Sequence, residues 1–424
     1  MSTKQYWKGL EELNATPAFI EKQSNEFQED LTVDDFSSIG TASTSRRDFL
    51  KYVGFSTVAA TVAASCEMQV RKAIPYAIKP ENVTPGVPLL FASTYKDGGE
   101  SVPVLVRTRE GRPIKIEGNN DSTLTNGATT ARIQASVLNL YDASRVKFPM
   151  IQQKESTWQA VDKMVGDALT SATGGIYLLT STQNSQTTEA AISAFTQKYP
   201  LAKHVQYDAV SYSGVLDANL ASFGVRAMPA YRFDNAKIIV SIGADFLGTW
   251  LSPEIHAKQY SKGRKISAKN ATMSKHYQIE GMMSLTGGSA DERYTCKPSQ
   301  YGAVALAILN ALNGTPSGFS GNLGEAIGEI AKDLNTNKGN ALVVCGSNDK
   351  QVQTVVNAIN AAIGALGITM TFGTTNNTKK GNDTEMNAFA EALKNGQVGA
   401  VMFYDCNPVY DSVHGKLIKD KLAG

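Results

Sequence analysis

The feature that most limits the fold is an alternation of short apolar runs with helical patterns, which begins near residue 156. Gly175–Thr180, Lys237–Ile242, Ala341–Cys345 and Val398–Tyr404 are short and rich in apolar and β-branched residues, and segments with helical spacing lie between them. Runs of this kind are typical of strands buried on both faces, and intervening helices favour parallel pairing. We therefore expect an α/β fold with doubly wound parallel sheets.

Two loops that follow these strands carry residues suited to a nucleotide-like ligand. Gly243 and Asp245 follow one buried run, and Asp405 and Asn407 follow another. Doubly wound folds bind ligands at the carboxyl ends of their strands, where glycine permits close backbone approach. Asp or Asn could hydrogen-bond such a ligand, but the same side chains are equally suited to capping their own loops. The sequence leaves both roles open.

A smaller β-rich region precedes the alternation. Val102–Val106 and Pro113–Glu117 are separated by a short segment that contains Gly111, which indicates a β-hairpin. Residues 67–90 contain four prolines, so we expect an extended tether there. The expected organisation is a small β-rich subdomain at 91–150, an α/β subdomain at 151–299 and a second α/β subdomain at 300–424.

The composition is that of an ordinary globular protein. Apolar residues make up 42% of the 424 residues and charged residues 19%, and the net charge of +2 gives no reason to expect a nucleic-acid partner. Cys66, Cys296, Cys345 and Cys406 match no zinc or iron–sulfur spacing. The four histidines are scattered, so we expect no metal site from them.

A basic segment at 258–276 contains Lys262, Arg264, Lys265, Lys269 and Lys275. Such a segment is either a docking face for an acidic partner or a solvated loop. We prefer the loop.

An export signal follows an acidic leader. Residues 1–44 carry three lysines and eight acidic residues. Residues 45–66 begin Ser-Arg-Arg-Asp-Phe-Leu-Lys, so that Arg46 and Arg47 precede a mildly apolar stretch, which is typical of a twin-arginine signal. Small residues precede Cys66, as in a lipoprotein cleavage box, and predict lipidation of this cysteine. We expect export by the twin-arginine route and anchoring at the periplasmic face of the cytoplasmic membrane.

Several motifs together resemble a known family. Gly111–Asn119 resembles a hairpin of the molybdopterin oxidoreductases, and Gln134–Asp142, Ile242–Trp250 and Met283–Gly287 are similar to stretches of a narrower group. That group is the large molybdopterin-like iron–sulfur subunit, the B subunit, of alternative complex III, a membrane quinol:electron-acceptor oxidoreductase. A twin-arginine signal behind a leader is also typical of it. The resemblance implies a molybdopterin-oxidoreductase-like fold from about residue 40 onward.

The chain departs from the molybdopterin oxidoreductases in two ways. Phe91–Ser101 contains no cysteine, and Thr129–Ala131 stands where a fourth iron–sulfur ligand would be expected. Threonine cannot replace a thiolate ligand, so no N-terminal cluster is expected. The family's C-terminal ferredoxin-like domain also has no counterpart in these residues. The resemblance therefore implies a chain that covers roughly the first half of the subunit, with no cofactor in this portion and iron–sulfur clusters in the missing domain.

The leading hypothesis is a non-catalytic molybdopterin-like scaffold in a periplasmic respiratory iron–sulfur subunit that takes part in quinol oxidation and electron transfer. The resemblance implies multihaem cytochrome and quinol-binding membrane subunits as partners. The first alternative is an active molybdopterin-dependent oxidoreductase that holds its pterin nucleotide at Gly243, Asp245 and Asn407. The second alternative is a lipid-anchored periplasmic solute-binding protein with two α/β lobes.

Overall fold

The computed structural model divides the chain into two units, Met1–Pro80 and Glu81–Gly424. All strands and helices named below belong to the second unit. The residues that the structure describes are Pro17, Glu81, 83–84, 86–266 and 271–422.

Alternating apolar side chains produce the first sheet. Val102 and Val104 on its middle strand form a small core with Ile116 and Ile133. The predicted hairpin is present, and its two-residue turn, Glu110 and Gly111, has positive φ at both positions, as hairpin turns require. A preceding strand, which we did not predict, completes an antiparallel sheet of order β1-β2-β3. These strands are β1 (Leu89–Asp97), β2 (Glu100–Arg109) and β3 (Arg112–Gly118).

Short elements follow, and the alternation of strands and helices then begins. Threonine side chains cap the N-termini of the first two helices. Thr130 accepts a hydrogen bond from Ile133 N, and Thr157 accepts one from Ala160 N. The elements are α1 (Ala131–Ala135), a 3₁₀ turn (Ser136–Tyr141), β4 (Met150–Ile151), β5 (Lys154–Glu155), α2 (Trp158–Ser171), β6 (Gly175–Thr180), α3 (Gln186–Lys198), β7 (Ala202–Gln206), α4 (Ser213–Phe223) and β8 (Met228–Tyr231).

The next part of the chain contains the most deeply buried strands. All five residues of Ile238–Ile242 and of Ala341–Cys345 are buried, as their apolar runs predict. The elements are β9 (Ile238–Ile242), α5 (Pro253–Gly263), β10 (Lys275–Glu280), α6 (Leu285–Gly288), β11 (Glu292–Thr295), α7 (Tyr301–Leu312), α8 (Gly321–Thr336), β12 (Ala341–Cys345) and α9 (Lys350–Ala362).

The last described part of the chain contains two strands that pair with strands formed much earlier in the sequence. Asn382 caps the helix that precedes the final strand by accepting from Thr384 N and Glu385 N. The elements are β13 (Met370–Asn376), α10 (Asp383–Lys394), β14 (Val398–Tyr404), α11 (Pro408–Asp411) and α12 (Gly415–Leu422).

Two parallel sheets organise the α/β region. The larger sheet has the order β11-β10-β9-β12, and the smaller has the order β14-β6-β7. An antiparallel pair, β13 with β8, accompanies them. The expected mixed α/β architecture with parallel sheets is confirmed. Strand pairing crosses the predicted boundary at residue 299, because β14 pairs with β6 and β12 pairs with β9.

Each parallel sheet has its own apolar core. The larger core surrounds β9 and β12 and includes Phe233 and Phe246, whose rings stack with centroids 4.2 Å apart. The smaller core is built around Leu179 and includes Tyr177 and Phe389, whose ring centroids are 5.1 Å apart. In the part of the chain that is described, no helix combines the length and the apolar character needed to cross a bilayer.

The basic segment at 258–276 contains the end of α5, the start of β10 and an intervening stretch, part of which lies outside the described residues. Three of its cations, Lys262, Arg264 and Lys275, are paired with acidic side chains of the same unit. Arg264 forms two 2.7 Å hydrogen bonds to Asp291. Lys262 lies 3.1 Å from Asp234, and Lys275 lies 2.9 Å from Glu292. These pairs offset the charge of those three side chains, and the role of the intervening stretch stays a prediction.

Candidate functional site

The loop after β9 is held by its own acidic residue. Asp245 Oδ1 accepts hydrogen bonds from the backbone N of Thr286 at 3.1 Å and from its hydroxyl at 2.8 Å. The hydroxyl of Thr249 lies 3.4 Å from the other carboxylate oxygen. The carboxylate thus joins this loop to α6. Of the two roles that the sequence left open for Asp245, the structure shows the loop-holding one.

The space beside Gly243 is filled by protein atoms. A Cβ at this position would lie 2.2 Å from the Tyr301 ring, and its φ of +64° also favours glycine. A Cβ at Gly346, just after β12, would lie 2.2 Å from the carbonyl oxygen of Gly243. The Tyr301 hydroxyl accepts from Gly281 N at 3.3 Å, which fixes the ring over the strand ends. The side of Gly243 that a Cβ would face is therefore occupied by Tyr301.

The second predicted loop lies at the carboxyl end of β14, in the other parallel sheet. Asp405 accepts a hydrogen bond from Ser181 Oγ at 3.0 Å and pairs with Lys96 at 3.2 Å. Asn407 is exposed, and its carbonyl oxygen accepts from Tyr410 N at 2.9 Å, within the first turn of α11. The candidate residues Gly243, Asp245 and Asn407 therefore follow strands of two different sheets. Each makes polar or packing contacts with its own surroundings.

The turn between β1 and β2 reaches the carboxyl edge of the smaller sheet. A Cβ on Gly99 would lie 2.1 Å from the carbonyl oxygen of Thr378, so only glycine fits at this approach. The side-chain amide of Asn184 donates a hydrogen bond to the Gly99 carbonyl oxygen. On its other side, the guanidinium group of Arg132 pairs with Asp97 at 2.7 Å and with Glu100. These contacts fix the turn between elements that are far apart in sequence.

A cavity of about 640 Å³ lies next to this turn. Its wall includes Glu100 from the turn, Asn184 from the loop after β6, and residues from the first two turns of α5. Residues of β8 and of the segment after β13 complete it. Its size is within the range of small-molecule sites in proteins. This cavity is the best-formed concave site that we find in the described ranges.

Two titratable residues of α5 line the cavity and are almost fully buried. Glu254 is 3% exposed and His256 is 2% exposed. Burial, with a further contribution from the nearby Glu100 carboxylate, raises the pKa of Glu254 to about 7. Burial lowers the pKa of His256 to about 3, so its imidazole is neutral at physiological pH.

Polar atoms without hydrogen-bond partners are concentrated around this cavity. Of the eight buried side-chain polar atoms that have no hydrogen-bond partner in the described part of the chain, four belong to residues that line it. Buried polar groups are nearly always hydrogen-bonded, so a cluster of exceptions needs a physical cause. The four atoms are Asn184 Oδ1, Glu254 Oε2, His256 Nδ1 and Thr378 Oγ1.

Sequence reasoning did not find this cavity. Ser252, Pro253 and Glu254 form a typical helix start, in which an acidic residue in the first turn is usually exposed. The lining residues come from segments as distant as Glu100 and Thr378. Only the position of the β1–β2 turn brings them together, and no local pattern encodes it.

The described cysteines are separate from this cavity. Cys296 and Cys345 are buried and Cys406 is half-buried, and all three are free thiols. Burial raises the pKa of Cys345 to about 12 and that of Cys406 to about 11. Within the described ranges, no group of three or more His, Cys, Asp or Glu residues is arranged to hold a metal ion. Arg46, Arg47 and Cys66 lie outside the described residues.

Comparison with curated proteins finds a distant relative. The chain is 22% identical over 436 aligned residues to the menaquinone reductase, molybdopterin-binding-like subunit, of Nitratidesulfovibrio vulgaris. The alignment covers 89% of this chain and 61% of the relative, so the chain spans less than two thirds of that protein's length. No protein-family model matches the chain.

Two solved structures are similar to parts of the chain, each with a TM-score of 0.42. One is acetylene hydratase from Pelobacter acetylenicus, at 13% identity over 66% of this chain and 42% of that one. The other belongs to the formyltransferase/hydrolase complex from Methylorubrum extorquens, crystallised with methylofuran, at 12% identity over 60% of this chain and 75% of that one.

Proposed function

We propose that this chain is the non-catalytic, molybdopterin-like scaffold portion of a respiratory iron–sulfur subunit that takes part in quinol oxidation and electron transfer. The observation that carries the proposal is the similarity to the menaquinone reductase, molybdopterin-binding-like subunit, over 89% of this chain. Similarity of that extent cannot come from a single shared motif. In this role the two parallel sheets supply shape and docking surface, while other parts of the complex hold the redox centres.

The contacts at the strand ends support a scaffold role. A pterin nucleotide beside Gly243 would have to displace the Tyr301 ring, which lies against the glycine. It would also compete with Thr286 for the carboxylate of Asp245, which already accepts two hydrogen bonds from that residue. Both changes would remove packing and hydrogen bonds that stabilise the carboxyl edge of the larger sheet.

The surroundings of the thiols also support the scaffold role. A cysteine binds molybdenum or an iron–sulfur cluster as the thiolate. Burial raises the pKa of Cys345 and of Cys296, so the protein around these two side chains favours the protonated thiol. The Cys406 thiol donates a hydrogen bond to the carbonyl oxygen of Leu179 at 3.3 Å. This bond requires the thiol proton, so it also favours the protonated thiol.

The finer assignment combines the sequence motifs with this fold. We place the subunit in a complex like alternative complex III, at the periplasmic face of the cytoplasmic membrane. Arg46 and Arg47 would direct its export, and an acylated Cys66 would anchor it. Multihaem cytochrome and quinol-binding membrane subunits would be its partners, and the iron–sulfur clusters would lie in a ferredoxin-like domain.

Metal and cofactor analysis of the protein purified from its native membrane tests the scaffold role. We expect less than one tenth of an equivalent of molybdenum or tungsten and no extractable pterin, together with co-purifying haem protein. A known molybdoenzyme prepared from the same cells serves as the positive control. Stoichiometric molybdenum or tungsten would establish the active oxidoreductase instead. Recovery of a lone chain with a bound metabolite would favour a solute-binding protein.

The export and anchoring proposals are tested separately. Replacing both arginines (Arg46→Lys with Arg47→Lys) should leave a precursor in the cytoplasm, because the twin-arginine translocon reads the arginine pair. Cys66→Ser should be exported but released from the membrane by washing. Intact-mass measurement of the mature wild-type protein should show an acylated Cys66. An unmodified thiol would contradict the anchor without affecting the scaffold role.

A further inference from the structure

We propose that Met282 and Met283 form a reversible modification site, at which a peroxide oxidant converts each thioether to a sulfoxide. The inference concerns the loop between β10 and α6 and does not depend on the respiratory role. It rests on the exposure of two adjacent thioethers, on the contacts that hold their loop, and on the burial of the methionines in the apolar cores.

The two thioethers belong to the most exposed methionines of the described residues. Met282 is 80% exposed and Met283 is 66% exposed. Three others, Met150, Met164 and Met273, are each just under half exposed. A thioether reacts without first losing a proton, so access of the oxidant to the sulfur sets its rate of oxidation. The pair is therefore the best placed of these five side chains to react.

The backbone on either side of the pair is fixed by hydrogen bonds. Before the pair, Gly281 N donates to the Tyr301 hydroxyl at 3.3 Å. After it, the carboxylate of Glu280 accepts from Ser284 N at 3.1 Å and from Ser284 Oγ at 2.7 Å. Arg293 donates to the same carboxylate at 2.6 Å. The exposure of the pair is thus a property of a loop that is held at both ends.

The residues that follow in this loop have structural roles inside the protein. Thr286 donates two hydrogen bonds to Asp245 and so joins the loop to the end of β9. A Cβ on Gly287 would overlap a carboxylate oxygen of Glu280, so only glycine fits there. Packing and hydrogen bonding explain these residue types. They do not explain why two large thioethers stand in the exposed part of the same loop.

The reaction is a two-electron oxidation of each sulfur. The sulfur lone pair attacks one oxygen of hydrogen peroxide, the O–O bond breaks, and the sulfur keeps that oxygen. The other oxygen leaves with both protons as water, so the sulfur is oxidised and the peroxide is reduced. The product is a polar, chiral side chain that methionine sulfoxide reductases convert back to the thioether.

Oxidation of the pair should change the surface and leave the fold intact. With Leu285, which is also exposed, the two methionines form an apolar tip, and two sulfoxides would make that tip polar. The methionines of the cores, Met228, Met370 and Met386, are at most 4% exposed. A sulfoxide at any of these three would place a polar group in an apolar core, so their oxidation requires unfolding.

The experiment is treatment of the full folded chain with hydrogen peroxide, with peptide mapping of each methionine over time. We expect the pair to oxidise about twofold or more faster than Met150, Met164 and Met273, and more than about tenfold faster than Met228. When the pair is fully oxidised, the melting temperature should have changed by less than about 2 °C. Methionine sulfoxide reductases A and B should then restore the original mass.

Two leucine variants distinguish this site from general oxidation. Met282→Leu with Met283→Leu should take up two fewer oxygen atoms in the fastest phase and leave the rates at Met150 and Met273 unchanged. Met164→Leu is the matched control, because it removes a less exposed methionine of α2 and should leave the fastest phase as it is. The proposal is overturned if the pair oxidises no faster than Met164 in the folded chain, or if its oxidation requires urea.

Discussion

The ammonium group of Lys96 lies 3.2 Å from the carboxylate of Asp405 and so joins the first antiparallel sheet to the last strand of the smaller parallel sheet. The same Lys96 Nζ donates to Gln183 Oε1 at 3.1 Å, and Asp405 also accepts from Ser181. Three segments that are distant in sequence therefore meet at one carboxylate. This junction holds the β1–β2 turn in the place where it forms one wall of the cavity.

The free energy of unfolding should depend more on the backbone conformation that residue 405 can adopt than on the charge of its side chain. Its φ of +55° is left-handed, a conformation that Asn tolerates and β-branched residues do not. Asp405→Asn loses an ion pair whose partners are more than one third exposed, and should cost less than about 1 kcal/mol in the free energy of unfolding. Asp405→Val should cost about 1–2 kcal/mol more. Equal urea-unfolding midpoints for the two variants would contradict this explanation.

Gly346 should be nearly irreplaceable. A Cβ there would lie 2.2 Å from the Gly243 carbonyl oxygen, and both positions are fixed by neighbouring parallel strands. We expect Gly346→Ala to destabilise the protein by about 2–4 kcal/mol, measured by urea unfolding. Gly166→Ala is the matched control, because this glycine lies in α2 with open space at its Cβ position. That change should stabilise the protein by about 0.5–1 kcal/mol.

Stability should fall on mild acidification because two histidines are buried in the neutral form. Burial lowers the pKa of His256 to about 3 and that of His276 to about 4, against 6.5 for the unfolded chain. Between these values the two histidines bind more protons in the unfolded state, which outweighs the opposite effect of Glu254 with its raised pKa, so the free energy of unfolding decreases as pH falls below 6.5. Each histidine should contribute a slope of about 1.4 kcal/mol per pH unit.

His276→Gln provides the check on this assignment. The free energy of unfolding is measured by urea titration at pH 7.5, 6.5 and 5.5. Between pH 6.5 and 5.5 the free energy of unfolding of the variant should fall by about 1 kcal/mol less than that of the wild type, whatever its offset at pH 7.5. An unchanged slope would show that His276 is not responsible.

The described thiols should be protected in the native protein. Cys345 is 2% exposed and Cys296 is 9% exposed, and burial raises the pKa of both. In a full chain with Cys66→Ser, maleimide should label these two more than about tenfold slower than in urea, because labelling requires an exposed thiolate. Cys406, which is half-buried, should be labelled first. Peptide mapping that finds Cys345 labelled as fast as Cys406 would contradict the described packing.

Strand positions could be predicted where burial produces a plain apolar run. Gly175–Thr180, Ala341–Cys345 and Val398–Tyr404 are strands at the predicted bounds. Lys275–Glu280 was missed because the polar residues on one side of this strand are buried and bond one another. Gln278 donates to Glu280 at 2.9 Å and lies 3.3 Å from His276. Periodicity interprets such residues as solvent-facing, whereas here hydrogen bonds satisfy them in the interior.

The candidate site could be predicted only in part. The loops after β9 and β14 do lie at the carboxyl ends of parallel strands, as the alternation indicates. Thr286 donates a hydrogen bond to Asp245 from 41 residues away, and the spacing of residues in the sequence does not predict such a contact. The cavity was missed for the same reason. Its polar groups meet through tertiary contacts between segments that carry no shared local pattern.

The order β14-β6-β7 has a consequence for how the chain matures. The strand that covers one edge of β6 begins about 190 residues after β7 ends, so a nascent chain exposes that edge until these residues have been made. Open strand edges promote association with other chains, and pairings of such long range form slowly. A chaperone that occupies this edge until residue 398 emerges would protect the polypeptide from such association.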